Sequence, residues 1–150
     1  MKKYYIVHYN TNALCWLKGA DAKMLNLNGV TPIYIQIAEW MENQILNGTF
    51  QIDEKVHSQY TLAEMFNINP ATAAKGLHLL SEEEILYTKR GLGKFVSPLA
   101  KTIIMEKRKS QTLTGLITDL VLEAKQLQVE DDELLEMIRK EMKQQKGEEI

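Results

Sequence analysis

From Thr31 onward, apolar residues recur at Ile33, Ile37, Trp40, Met41 and Ile45, the spacing of a single helix face. Thr31 is expected as the N-cap and Pro32 as the first helical residue, where a missing N–H costs nothing. Gly48 is a natural stop just past the helix end. A loop, "TFQIDEKVH", leads into a short helix, "SQYTLAEMF", capped by Ser58 with Leu62, Ala63 and Phe66 facing inward. A third helix opens with Asn69 as N-cap and Pro70 at its first position, and Leu77, Leu80 and, further on, Leu86 carry its apolar side. "ILYTKRGLGKFVS" then places β-branched and aromatic residues on both sides of Gly91-Leu92-Gly93, the signature of a short hairpin.

The remainder reads as helix. Leu113, Leu116, Ile117, Leu120, Ala124 and Leu127 form one stripe. "QVEDDE" breaks it, with Glu130 or Asp131 placed to cap a last helix whose apolar side is Leu134, Leu135, Ile138 and Met142. Two helices with one stripe each bury little alone, and pairing with a second copy closes a core. "QQKGEEI" is a polar tail. At the other end, "KKYYIVHY" is strand-like, but the adjoining "NTNALCWLKGADAK" has no sustained period. Met24 is one candidate for the true start, and an ordinary N-terminal extension is the other.

The resulting fold class is mainly α with a small β-hairpin: a winged helix-turn-helix followed by a two-helix dimerisation arm. The domains are an extension over 1–30, a winged helix-turn-helix over 31–98, and the arm with its tail over 99–150. At 150 residues the chain holds one ordinary domain, or a small one plus an appendage. A single cysteine, Cys15, excludes a disulfide framework and a thiolate zinc site. No run of eighteen apolar residues is present, so a cytoplasmic location is expected.

Charge alone does not indicate a nucleic-acid partner. Net charge is −2, and residues 31–98 hold five basic against eight acidic residues, or −3. The placement of the few cations is therefore what matters. Lys89, Arg90 and Lys94 surround Gly91 and Gly93, which suits either a phosphate cradle or a hairpin tip. A phosphate loop needs glycines that open a helix, whereas Phe95-Val96-Ser97-Pro98 comes next here. The hairpin tip is the better reading, with its cations able to meet phosphates along a groove. Upstream, Asn69-Pro70-Ala71-Thr72 gives the third helix an N-terminus of free N–H groups and small side chains. Such an end suits close approach to a phosphate or base edge. Lys75 shares a face with Thr72, while Glu82, Glu83 and Glu84 lie at the far end. His8, His57 and His78 are scattered, with no catalytic constellation and no metal-binding spacing; neither an enzyme nor a metal or other cofactor is expected. For Lys107-Arg108-Lys109, a solvated face is the simpler reading than a DNA contact.

"TPIYIQIAEWMENQILNGTF", "LAEMFNINPATAAKGLHLL" and "ILYTKRGLGKFV" resemble the GntR family of bacterial transcription regulators over about residues 30–97. The short helical C-terminal part resembles the YtrA-like subgroup. The resemblance implies a homodimeric repressor that binds a palindromic double-stranded DNA operator, often near genes for ATP-driven transporters. Carried over, Ser58, Asn69, Ala71, Thr72, Lys75, Arg90, Gly91 and Gly93 stand where the family meets DNA, with Lys89 and Lys94 beside them. Tyr60 replaces an arginine that normally meets phosphate, and it brings one neutral hydrogen bond but no charge. Leu113, Leu116, Ile117, Leu120, Leu134 and Ile138 are the expected dimer contacts. Whether a small-molecule effector exists stays open. The rival reading is a protein-interaction module with a degenerate winged helix, favoured by Tyr60 and the acidic 31–98 segment.

Overall fold

The computed structural model describes residues 25–147. The readings for residues 1–24, including Met24 as a start, lie outside the described residues. In order, the elements are α1 (Ile33–Leu46), α2 (Gln59–Phe66), α3 (Pro70–Glu82), β1 (Leu86–Lys89), β2 (Gly93–Val96), α4 (Ala100–Lys107), a π-helical segment (Arg108–Leu113), α5 (Thr114–Gln126) and α6 (Asp131–Gly147). The chain divides into two compact units between Met105 and Glu106.

In the first unit, α1 buries Ile37, Trp40, Met41 and Ile45 against Leu62 and Phe66 of α2 and Leu77 and Leu80 of α3. Each fully buried aliphatic side chain stabilises the fold by about 1.5–3 kcal/mol relative to exposure. The helix start differs from expectation. Pro32 rather than Thr31 is the N-cap and supplies no side-chain hydrogen bond. Gln36 instead ties the preceding turn to the helix, donating through Nε2 to the Thr31 carbonyl at 2.8 Å and the Asn26 carbonyl at 3.0 Å. The other caps form as the side chains dictate. Ser58 Oγ accepts from the Thr61 N–H at 3.1 Å, and Asn69 Oδ1 accepts from the Ala71 N–H at 2.8 Å.

Gly76 sets the crossing of α1 and α3. A Cβ there would stand 2.8 Å from the Tyr34 carbonyl oxygen and 3.0 Å from Ile37 Cγ2. Only a hydrogen fits, so α3 lies against the α1 backbone at that point. α2 and α3 each end in a left-handed residue that is not glycine, Asn67 (φ 52) and Glu84 (φ 60). The next amide then reaches back into the helix, Ile68 N–H to the Ala63 carbonyl at 3.0 Å and Ile85 N–H to the Leu80 carbonyl at 2.9 Å. These bonds satisfy orphan carbonyls and turn the chain sharply. Leu86 accordingly sits on β1, buried in the core but beyond the end of α3.

β1 and β2 pair antiparallel, with Leu86 opposite Val96 and Lys89 opposite Gly93. At the tip the Leu92 N–H donates to the Lys89 carbonyl at 3.0 Å, and Gly91 takes the positive φ of 76° that a type II turn requires at its third position. The segment 52–57, expected as a plain loop, adds a rudimentary third edge to this ribbon. Val56 N–H donates to the Lys94 carbonyl and Val96 N–H to the Glu54 carbonyl, both at 3.0 Å. Burial of the Val56 side chain anchors it there.

The second unit is different. α5 and α6 are joined by a turn in which Gln128 is left-handed (φ 56) and the Val129 N–H bonds the Ala124 carbonyl at 2.9 Å. Beyond that turn the two helices make few contacts with each other. Ala124 is the one buried residue of α5, and α6 has none.

Candidate nucleic-acid interface

The first unit exposes the N-terminal turns of α2 and α3 and the tip of the hairpin. Local sequence explains each piece. Asn67 ends α2 and Asn69 begins α3, leaving only Ile68 between them, partly buried against the core. With α3's inner face fixed by Ala73, Gly76, Leu77 and Leu80, its outer face is left to Ala71, Thr72 and Lys75. Ala71 and Lys75 are exposed and Thr72 is half-exposed. Ser58, Tyr60 and Asn69 are exposed as well, with Tyr60 at 66%. The free N–H groups expected at this end of α3 are already taken: Ala71 N–H donates to Asn69 Oδ1 at 2.8 Å, and the Thr72 and Ala73 N–H groups donate to the Asn69 carbonyl at 2.9 and 3.3 Å, which leaves the helix dipole and the small side chains to face an anion.

The cations around the hairpin separate into two groups. Arg90 lies at the exposed tip. Lys89 Nζ sits 4.4 Å from the Phe95 ring centroid and 5.7 Å from that of Tyr87, two rings stacked at 5.8 Å. Lys94 instead turns back onto α3: its Nζ donates to Ser81 Oγ at 2.7 Å and to Thr88 Oγ1 at 3.2 Å. The structure thus brings Lys89, Arg90, Gly91 and Gly93 together at the tip and ties Lys94 to the body. Lys55, which sequence reasoning passed over, bridges to Phe95. Its Cε would lie 3.0 Å from a Cβ at Gly93. No local pattern signals it, because its position depends on pairing with a strand far along the chain.

The ribbon is braced by Tyr87, whose hydroxyl donates to Asp53 Oδ1 at 2.7 Å. That hydrogen bond, then desolvation and the nearby Asp53 charge, push the Tyr87 pKa above its ordinary 10.0. The neutral phenol is the form the fold holds, so the brace is present throughout neutral pH and lost only as pH rises through the raised pKa.

The two described histidines, His57 and His78, have ordinary structural surroundings. His57 stacks on Trp40 at 6.3 Å and meets Phe50 edge-on at 5.1 Å, while His78 Nε2 lies 3.4 Å from Glu82 Oε1 on the surface of α3. Among the described residues no three His, Cys, Asp or Glu side chains cluster as metal ligands. No described helix is long and apolar enough to cross a membrane.

The expected dimer contacts are divided between two degrees of exposure. Leu116, Ile117 and Leu120 on α5 are exposed, as is Leu113 at the end of the π-helical segment. Leu134 and Ile138 on α6 are half-buried.

Three packed helices, a short turn before the third and a two-stranded ribbon after it define a winged helix-turn-helix. A scan against models of known protein families matches none. Individual relatives do match. The chain is 33% identical over 109 residues to the HTH-type transcriptional repressor YtrA of Bacillus subtilis (strain 168), covering 73% of this chain and 83% of YtrA. It is 40% identical over 92 residues to the HTH-type transcriptional repressor NagR of the same organism, covering 61% of this chain but only 35% of NagR. Among solved structures, a GntR-family transcriptional regulator from Bacteroides thetaiotaomicron superposes with a TM-score of 0.65 at 28% identity, covering 75% of this chain and 98% of that one. The chain belongs to the GntR family, in its YtrA-like subgroup, and is a DNA-binding transcriptional regulator.

Proposed function

We propose that the chain is a repressor that binds a palindromic operator as a homodimer. The first unit reads DNA and the second dimerises. α3 enters the major groove N-terminus first. Ala71 and Thr72 approach base edges there, Lys75 stands at the groove's rim, and the caps Ser58 and Asn69 lie against the backbone. Lys89, Arg90 and the glycine tip reach an adjacent groove, with Lys55 behind them, while Lys94 braces the ribbon against α3.

The observation that carries this reading is the asymmetry of α3. Its inner face is sealed in the core by Ala73, Gly76, Leu77 and Leu80, and its outer face offers small side chains and one cation beside a helix N-terminus capped by Asn69. The exposed leucines and isoleucine of α5 support dimerisation, since a stripe of this kind is covered by its twin in a closed two-fold assembly. Sequences selected by the full chain from a random DNA pool should carry inverted half-sites about one helical turn apart. Recovery of a single unpaired half-site, or of no sequence at all, would contradict the proposal.

A further inference from the structure

We infer that Tyr34 of α1 is a positioning residue for Lys75, holding its ammonium in place for DNA before DNA arrives. Lys75 Nζ lies 4.0 Å from the Tyr34 ring centroid, well within reach of a cation–π attraction. Among the described residues the ammonium has no carboxylate partner, and no other contact of its charge competes with the ring.

The pairing is built into the fold. The residue after Lys75 is Gly76, whose missing Cβ would stand 2.8 Å from the carbonyl oxygen of Tyr34 itself. Backbone contact thus fixes Tyr34 beside Lys75 at the closest point of the α1–α3 crossing. A free lysine samples many rotamers and loses that freedom on binding. The ring removes part of the loss in advance, and it directs the charge to one place along the groove rather than to a cloud of positions. Tyr34 is half-exposed, and among the described residues its hydroxyl has no hydrogen-bond partner, so the ring face rather than the hydroxyl does the positioning.

This inference rests on the proposed contact between Lys75 and DNA. Its test is a double-mutant cycle in the full chain, read by binding to the operator selected from the random pool and to a panel of its single-base variants. Lys75→Ala should weaken operator binding roughly tenfold and flatten discrimination at the bases it adjoins. Tyr34→Leu should weaken binding about fivefold and flatten the same positions, though the lysine charge remains. Tyr34→Phe keeps the ring and should bind within about 1.5-fold of the parent. In the Lys75→Ala background, Tyr34→Leu should have no further effect. Thermal unfolding checks each variant, and Tyr34→Met supplies a second ring-less side chain if Tyr34→Leu does not fold. If the two losses instead add, or if Tyr34→Phe is as weak as Tyr34→Leu, the positioning role is overturned while the Lys75 contact stands. If Lys75→Ala binds like the parent, both the contact and the inference fall.

Discussion

The two units of the chain solve the burial problem in opposite ways. In the first, Ile37, Met41, Ile45, Leu62 and Leu80 are fully buried within a single copy. In the second, Leu116, Ile117, Leu120, Leu122, Leu127, Leu135, Met137 and Met142 are all substantially exposed, and α5 and α6 hardly touch beyond their turn. Both segments carry apolar residues at helical spacing, so periodicity alone does not distinguish them. The difference lies in whether other parts of the same chain return to cover each stripe. Three helices and a ribbon close on themselves; two helices with little between them leave surface that a second copy can seal.

The largest effect is expected in the first unit's core. Leu62→Ala removes a fully buried side chain and should lower stability by about 2–5 kcal/mol. Chemical denaturation should report that loss equally at low and high protein concentration. Leu120→Glu probes the other unit. One copy tolerates the carboxylate because Leu120 is 42% exposed, but a dimer would have to bury it unpaired. Dimer affinity should fall by on the order of 100-fold or more, seen by light scattering after size exclusion, with the first unit's fold unchanged. Were Leu62→Ala to act only on the dimer, or Leu120→Glu only on folding, the division of labour would be wrong.

Smaller effects are expected at the proposed DNA-reading surface. Gly93 has φ +117 and lies beside Lys55, so Gly93→Val strains the tip without touching α3. It should weaken binding to all DNA sequences while leaving the ranking of operator variants in place. Parent-like affinity would make the ribbon a plain hairpin. The smallest effect is a gain. Tyr60→Arg should raise affinity modestly and steepen the salt dependence by about one unit of slope; an unchanged slope would place residue 60 away from the DNA backbone.

What was legible in the sequence was what is local. Ser58 and Asn69 cap as their types demand, Pro70 starts α3, and Gly91 and Gly93 take the positive φ of a tight tip. Those choices concern a residue and its near neighbours, and side-chain chemistry settles them. The left-handed ends at Glu84 and Gln128 were not legible, because neither residue type favours that conformation. Packing of the chain just beyond imposes it. Nor were the long-range ties legible: Lys94 on Ser81, Lys55 on Phe95, Tyr87 on Asp53 and Lys75 over Tyr34. Each pairs residues whose adjacency exists only after α1, α3 and the ribbon have assembled. They changed the site in detail, moving Lys94 from the tip to the body and bringing Lys55 beside the wing.

On the proposed reading the first unit is complete in one copy and the second needs another. Sedimentation equilibrium of the full chain at micromolar concentration tests it most directly. The expected result is a particle of twice 17.2 kDa that dissociates on dilution while the winged helix stays folded. A species of 17.2 kDa at every concentration would contradict it.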